Sequence, residues 1–428
     1  MKIKLLTGIL ITNILLASCS VSTKINRSAK EGILKNEDFL SAHTGISVYE
    51  PSTGKYWYNY QAEKYFVPAS NTKILSCYAA MKYLGDSLIG IRYQIMNDST
   101  VGIQATADPT FLHSDYENHP VYNFLKTFKI IQIDRPSFTR YMGNGWASDD
   151  YLQEYMAQRS AFPIYGNIAK IKWLNEETLF ISPPAFESNS SMPEKLPDGF
   201  EVQKSWDNNN FTFLPGKEKM TEIPFRPDDE TLRNLLQDTL RQKVVFTGAN
   251  NSYNNVIHSQ PTDAYLKPMM HRSDNFFAEQ SLLMVSNKIL GIVDDQAIID
   301  TLLKTDFKEL PQKPRWADGS GLSRYNSFSP KDFVFILEKM KNEFGMERIK
   351  NILPTGGTGT ISSYYLADSG YIFVKTGTLN NVVAISGFLY TRKKKLLIFS
   401  ALVNHHQSTA TKIRQGIEKF IQNLRDKY

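Results

Sequence analysis

Cysteine is almost missing from this chain: there are two, Cys19 and Cys77, among 428 residues. That excludes a disulfide-stapled scaffold and the paired-cysteine zinc folds. Histidine is sparse as well, seven in all. His405-His406 follow an apolar run and His258 and His271 stand apart, so none has the spacing of a zinc site, and no metal is expected. Charge of one sign is lacking too. The formal net charge is +6, and the basic residues are spread along the chain rather than striped, which argues against a nucleic-acid partner. The longest basic run, "TRKKK" from Thr391 to Lys395, sits between two apolar runs and reads as a solvated hairpin turn. "DGSGLSR" is glycine-rich but has no phosphate-loop lysine and reads as a tight loop. Internal repeats and low-complexity blocks are absent.

What is present is an ordinary globular composition, 42% hydrophobic and 21% charged. Such a chain can bury a large core and divides into two or three domains by length. The N-terminus has the order of a secretory signal. Lys2 and Lys4 precede an apolar stretch ending at Leu16, which is too short to span a bilayer comfortably. Leu16-Ala17-Ser18-Cys19 resembles the bacterial lipobox, with Cys19 as the lipidated residue. "SVSTKINRSAK" then reads as a polar tether. With Cys19 so used, Cys77 has no partner and is expected to be a buried structural thiol.

Patterning divides the rest. "GISVYEPSTGKYWYNYQAEKYF" alternates around a "PSTGK" turn and predicts a β-hairpin. "SNTKILSCYAAMKYLG" carries Ile74, Tyr78, Met81 and Leu84 at helical spacing. From Ile91 to about Asn255 the text turns rich in Asn, Pro, Asp and aromatics, with short strand-like runs, as in an inserted β-rich region. Helical text resumes with "TDAYLKPMMHR", "NFFAEQSLLMVSNKILG" and "PKDFVFILEKMKNEFG". "YIFVKTGTL" and a hairpin turning at the lysines predict strands, and "STATKIRQGIEKFIQNLRD" a closing helix. The expected division is a signal peptide over 1–18, a discontinuous catalytic unit over 19–90 plus 256–428, and an insertion over 91–255.

Three short patterns carry chemistry. Ser70-x-x-Lys73 opens a helix, Ser273-Asp274-Asn275 joins two helices, and Lys375-Thr376-Gly377 lies on a strand followed by Thr378. Each has limited weight alone. Ser52 and Lys55 also fit the first spacing, but within a turn, and Ser252-Tyr253-Asn254 is a decoy for the second. Lys-Thr-Gly occurs once, against a chance expectation of roughly one in ten. The ordered conjunction, each member in a suitable local structure, is far rarer.

The residue types explain one another. A serine hydroxyl is a weak nucleophile and needs a base. Three residues on along a helix, Lys73 shares the face of Ser70. To accept a proton the lysine must be neutral, and burial together with the cation Lys375 is expected to depress its pKa. Ser273 can relay a proton to a leaving amine, and Asn275 can hold Lys73 and meet a substrate amide. Lys375 and the hydroxyls of Thr376 and Thr378 suit a substrate carboxylate. Gly377 admits a peptide close against the strand. The N–H groups of Ser70 and Thr378 form a natural oxyanion hole. Acyl transfer from a peptide with a free C-terminal carboxylate follows, with no catalytic histidine and no cofactor. Glu279, in the helix after Asn275, reads as a hydrogen-bond partner rather than an acid.

This motif set is the signature of penicillin-binding proteins and serine β-lactamases. More narrowly, the chain resembles the class C, type-4 low-molecular-mass penicillin-binding proteins, the D-alanyl-D-alanine carboxypeptidase/endopeptidase family. The likeness rests on the three motifs, on "ADPTF" near Asp108, "YGNIAKIKWLNEE", "MMHRSDNFFAEQ", "DGSGLSRYN" and "ILPTGGTGTI", and on the long insertion between Lys73 and Ser273. Asn71-Thr72 stand where the family often has Thr-Met, and Ala105-Thr106-Ala107 replace its usual glycines. The resemblance implies an α/β (α+β) transpeptidase-like fold, an antiparallel sheet flanked by helices, with Ser70 as the acylated nucleophile and Lys73 as its base. It also implies peptidoglycan stem peptides as substrate, cleavage of D-alanyl cross-links as a second activity, β-lactams as acylating inhibitors, and a periplasmic, lipid-anchored location, with the outer membrane as the expected one. Two other readings remain at this point: a β-lactamase or esterase on the same scaffold, separated by acyl-enzyme lifetime, and a non-catalytic wall-binding module, separated by D-alanine release.

Overall fold

The computed structural model describes residues 25–134, 138–173, 179–191, 202–213, 220–248 and 253–428. The leader and Cys19 lie outside the described residues.

The first hairpin of the described chain and its last three strands build one sheet. Strands β1 (His43–Glu50) and β2 (Lys55–Tyr60) join β3 (Ile372–Leu379), β4 (Val382–Tyr390) and β5 (Leu396–Asn404) in the order β3-β4-β5-β1-β2. Every pairing is antiparallel. Strands β4 and β5 read as continuous apolar runs because the sheet is covered on both faces. The C-terminal helix Ala410–Lys427 covers one face. Ile413, Ile417, Phe420, Ile421 and Leu424 recur at helical spacing and bury themselves against Val48, Val374, Ile385 and Phe399 of the sheet.

The other face carries the helices Lys73–Tyr83, Asn275–Leu290 and Pro330–Ile352. Their core joins Ile74, Tyr78, Phe277, Leu282, Phe333 and Leu337 to Phe388, Ile398 and Leu402. Helix Lys73–Tyr83 is buried on every side from Lys73 to Met81. Cys77 lies on it with a free, buried thiol, which burial pushes up to about 12. The α/β fold expected from the sequence, an antiparallel sheet flanked by helices, is the fold observed.

Between these helices the chain builds further sheets. Ser87–Asn97, Thr100–Ala105, Ile130–Asp134, Lys243–Thr247 and Asn255–Pro261 form a five-stranded sheet. The pairings of Ile130–Asp134 with Thr100–Ala105 and with Lys243–Thr247 are parallel. Parallel neighbours need long crossovers, and helices Pro120–Leu125 and Asp229–Leu240 lie in two of them. This region therefore contains more helix than the strand-like reading expected. Leu232, Leu235, Leu236 and Leu240 were the helical signal in its text, and all are buried. A separate apolar core unites them with Ile103, Ile131, Ile133 and Phe225.

Candidate active site

Pro68 delivers the chain into a tight turn. Ala69 takes a positive φ of 48°, and Ala69–Thr72 form a single 3₁₀ turn before the α-helix begins at Lys73. The sequence placed Ser70 in the α-helix itself; the tighter turn brings positions i and i+3 almost directly over one another. Lys73 Nζ accordingly lies 2.9 Å from Ser70 Oγ. Gly321 is packed so closely on the Ala69 carbonyl that no Cβ would fit.

Lys73 is completely buried, and its nitrogen has two further acceptors. Asn275 Oδ1 accepts at 2.6 Å and the Ser320 carbonyl at 2.7 Å. The other end of the Asn275 amide donates to the Tyr155 carbonyl at 3.0 Å. Burial brings the Lys73 pKa down to about 8, against the pull of Asp318, Asp274 and Glu279. Lys375 is likewise fully buried and is held well below the usual lysine range, first by burial and then by Lys73.

The second motif sits at the start of helix Asn275–Leu290. Asp274 caps it by accepting from the Phe277 N–H at 2.9 Å, and Ser273 takes a positive φ of 63°. That turn aims the Ser273 hydroxyl at the third motif. Lys375 Nζ donates to Ser273 Oγ at 2.8 Å and to the Thr376 carbonyl at 2.7 Å. Ser70, Lys73 and Asn275 form one hydrogen-bonded set and Ser273 with Lys375 a second, held side by side by the Ser273-Asp274-Asn275 turn.

Strand β3 is the edge of its sheet. The Val374 N–H turns outward to the Pro354 carbonyl at 3.0 Å. The two-residue period then turns the N–H groups of Thr376 and Thr378 to the same open side. Gly377 lies against the serine turn: a Cβ there would stand 2.9 Å from Ser70 N and 2.7 Å from the Pro68 carbonyl. Asn71 ties the two pieces together. With its nitrogen donating to the Lys375 carbonyl at 2.8 Å, its oxygen accepts from the Ser386 hydroxyl at 2.7 Å. The Thr376 hydroxyl meets Thr360 Oγ1 at 2.7 Å, and Thr378 Oγ1 accepts from Arg414 at 2.6 Å.

The shell behind Lys73 was foreseen only in part, as a tight loop and a hydrogen-bonding Glu279; Arg159 and the Ser320 carbonyl were not. "DGSGLSR" is wedged between the two central helices, with Ser76 donating to the Gly319 carbonyl and Glu279 accepting from the Ser320 N–H at 2.7 Å each. Asp318 organises the loop by accepting from the Gly321 and Ser323 N–H groups and from Asn326. Glu279 is also paired with the buried Arg159 at 3.3 Å, and Arg159 with Asp295 at 2.7 Å. Burial and the nearby Asp318 raise Glu279 to about 7. Its sequence reading as a hydrogen-bond partner fits this arrangement. Asn71 was visible only as a departure from a pattern, and a backbone carbonyl such as that of Ser320 has no sequence signature at all.

A cleft of about 390 Å³ opens beside Ser273, Asp274 and Asn275 and is also lined by Glu154, Tyr155 and Lys170. A larger hollow of about 830 Å³ lies next to it, lined by Tyr151, Lys204 and Glu222 among others, and holds none of the three motifs. Among the described residues no cluster of three or more metal-ligating side chains occurs.

Residues 27–424 match the model of the D-Ala-D-Ala carboxypeptidase 3 (S13) family. A curated relative, the D-alanyl-D-alanine carboxypeptidase DacB of Haemophilus influenzae, is 29% identical over 182 residues, which take in 39% of this chain and 37% of that protein's length. Among solved structures, penicillin binding protein 4 of Haemophilus influenzae aligns over 94% of this chain and 98% of its own, at 20% identity with a TM-score of 0.73. A predatory endopeptidase of Bdellovibrio bacteriovorus aligns over 90% and 94%, at 16% identity and a TM-score of 0.55. At these identities the structural likenesses are likenesses of fold.

Proposed function

The chain belongs to the D-Ala-D-Ala carboxypeptidase 3 (S13) family, and on that premise we propose that it is a serine D,D-peptidase acting on the stem peptides of peptidoglycan. The reading is carried by one observation: a fully buried lysine amine, depressed to about 8, in contact with the Ser70 hydroxyl.

In this mechanism neutral Lys73 takes the proton of Ser70 as Oγ attacks the carbonyl before the terminal D-alanine. The resulting oxyanion meets the N–H groups of Ser70 and Thr378. The C–N bond then breaks. Ser273, linked to Lys375, relays a proton to the departing amine, the proton taken up by Lys73 replacing the one its hydroxyl gives, and free D-alanine leaves. Asn275 holds Lys73 and faces the substrate amide. Lys375, Thr376 and Thr378 receive the substrate's carboxylate, and Gly377 lets strand β3 lie close against the Ser70 turn. Water then cleaves the Ser70 ester and restores the hydroxyl. A D-alanyl cross-link offers the same acyl group with a larger amine to expel, so endopeptidase cleavage follows from the same steps. β-Lactams acylate the same oxygen. The lipobox-like leader supports a lipoprotein on the periplasmic side of a bacterial membrane, anchored through Cys19.

The test is D-alanine release from a stem pentapeptide and from a cross-linked dimer, followed by chromatography. Turnover of either supports the reading. Absence of turnover with both removes it and leaves a β-lactamase, an esterase or a wall-binding role, which acyl-enzyme lifetime with a penicillin would separate.

A further inference from the structure

If strand β3 receives a terminal carboxylate, the group that balances its charge is open to question. Lys375 is the obvious cation, but its nitrogen is engaged with Ser273 Oγ and the Thr376 carbonyl. It is also fully buried, beside a second amine. Burial disfavours the charged form of an amine, and a neighbouring cation disfavours it further. A guanidinium keeps its charge where an amine loses it.

Two guanidinium groups stand near the end of this strand: Arg324 donates to the Asn380 carbonyl at 2.9 Å, whereas Arg414 reaches a hydroxyl of the third motif itself. Arg414, in the second turn of helix Ala410–Lys427, follows Ile413, which is buried against the sheet. Its Nη2 donates to Thr378 Oγ1 at 2.6 Å. With that oxygen acting as acceptor, the Thr378 hydroxyl proton is left to point outward as a donor. Arg414 also lines a small hollow together with Thr360, Tyr364 and Thr376, where the Thr376 and Thr360 hydroxyls meet. Among the described residues Arg414 makes no ion pair. The arrangement is a half-buried cation with three hydroxyls around it and no counter-ion, at the end of the strand where the substrate's negative charge arrives.

We infer that Arg414 is the charge that anchors the substrate's terminal carboxylate, through its free N–H donors and through the hydroxyl of Thr378 that it orients. This rests on the D,D-peptidase reading above. It makes the site selective for a free carboxylate on the leaving residue, which both a terminal D-alanine and the α-carboxylate of a cross-linked D-amino acid supply. Ser70, Lys73 and Ser273 perform the bond changes without it.

The experiment measures kcat/KM on two peptides that differ only at the C-terminus, D-alanyl-D-alanine against D-alanyl-D-alaninamide, for the wild type, Arg414→Gln and Arg414→Lys. A charge-assisted hydrogen bond predicts that Arg414→Gln lowers the preference for the free acid by about 10–100-fold, mainly through KM, and that Arg414→Lys restores part of it. A merely structural bridge between helix and strand would weaken both peptides alike, so an unchanged preference in an active Arg414→Gln enzyme overturns the inference. A wild type inert towards both peptides overturns the D,D-peptidase reading and this inference with it, whereas an active wild type isolates Arg414.

Discussion

Lys375 Nζ stands 2.8 Å from Ser273 Oγ. The residue expected to face a substrate carboxylate is thus also the hydrogen-bond partner of the hydroxyl expected to relay a proton, which couples binding to proton delivery. Ser273→Ala removes the relay and leaves the nucleophile and its base in place. Loss of a positioned proton-transfer group costs about 10²–10⁴-fold, and the expected loss is in kcat, with KM little changed. Steady-state kinetics on a pentapeptide checks this; a defect confined to KM would assign Ser273 to binding instead.

The pH profile follows from Lys73. The base is the neutral amine, and its pKa lies at about 8. Below that value each unit of pH removes about nine-tenths of the competent form, so log kcat/KM rises with slope near one and flattens above about 8. Penicillin acylation rates across the same range should show the same limb. A profile already flat from about pH 6 upward would mean that Lys73 is not the group that takes the proton.

Gly377 offers a steric test. A Cβ there meets Ser70 N at 2.9 Å and the Pro68 carbonyl at 2.7 Å, both backbone atoms that cannot rotate away. Overpacking of this kind costs about 1–3 kcal/mol. Gly377→Ala should therefore lower the urea midpoint modestly and displace the oxyanion donors, with a fall in kcat/KM of about 10²-fold or more. Full activity in this variant would separate strand β3 from the reacting atoms.

Arg159 tests the support behind Lys73. It is buried with Asp295 at 2.7 Å and Glu279 at 3.3 Å, and it also donates to the Arg140 and Met142 carbonyls. Arg159→Met leaves the buried Glu279 without its cation, a loss of about 3–5 kcal/mol, while Asp295 retains Arg140 at 3.2 Å. Glu279 is already raised to about 7 from an ordinary 4.5. In the folded protein it binds its proton more tightly than in the unfolded chain, so its contribution is fully present below about 4.5 and is lost as pH rises through about 7. Removing Arg159 raises it further. The stability deficit of Arg159→Met, measured by urea unfolding, should therefore be smaller at about pH 5 than at about pH 8. An equal deficit at both would show that Glu279 does not carry the coupling.

Much of the site was legible because its chemistry dictates local spacing. Ser70 and Lys73 must share a helical face, Asp274 must cap a helix for Asn275 to enter its first turn, and Gly377 must lie on a strand. The antiparallel sheet was legible from its continuous apolar runs and the turn at Thr391–Lys395. Other parts left no trace in the text. The Ser320 carbonyl holds Lys73 with an atom every residue possesses. Arg159 and Glu279 meet across 120 residues of sequence, and only the fold brings them together. Arg414 sits on an amphipathic helix, where a charged residue at the edge of the apolar stripe is the default. The helix Asp229–Leu240 was overlooked because a stretch rich in Asn, Pro and Asp surrounds its four leucines. The repulsion between the two lysines was foreseen, and it holds Lys375 well below its ordinary range.

The central claim is that Ser70 is the acyl acceptor, activated by Lys73. Incubation with a penicillin, digestion and mass spectrometry of the peptides tests it most directly. The account predicts one adduct on the peptide containing Ser70, lost in Ser70→Ala and formed far more slowly in Lys73→Ala. An adduct on another residue, or stoichiometric labelling of Ser70→Ala, would contradict it.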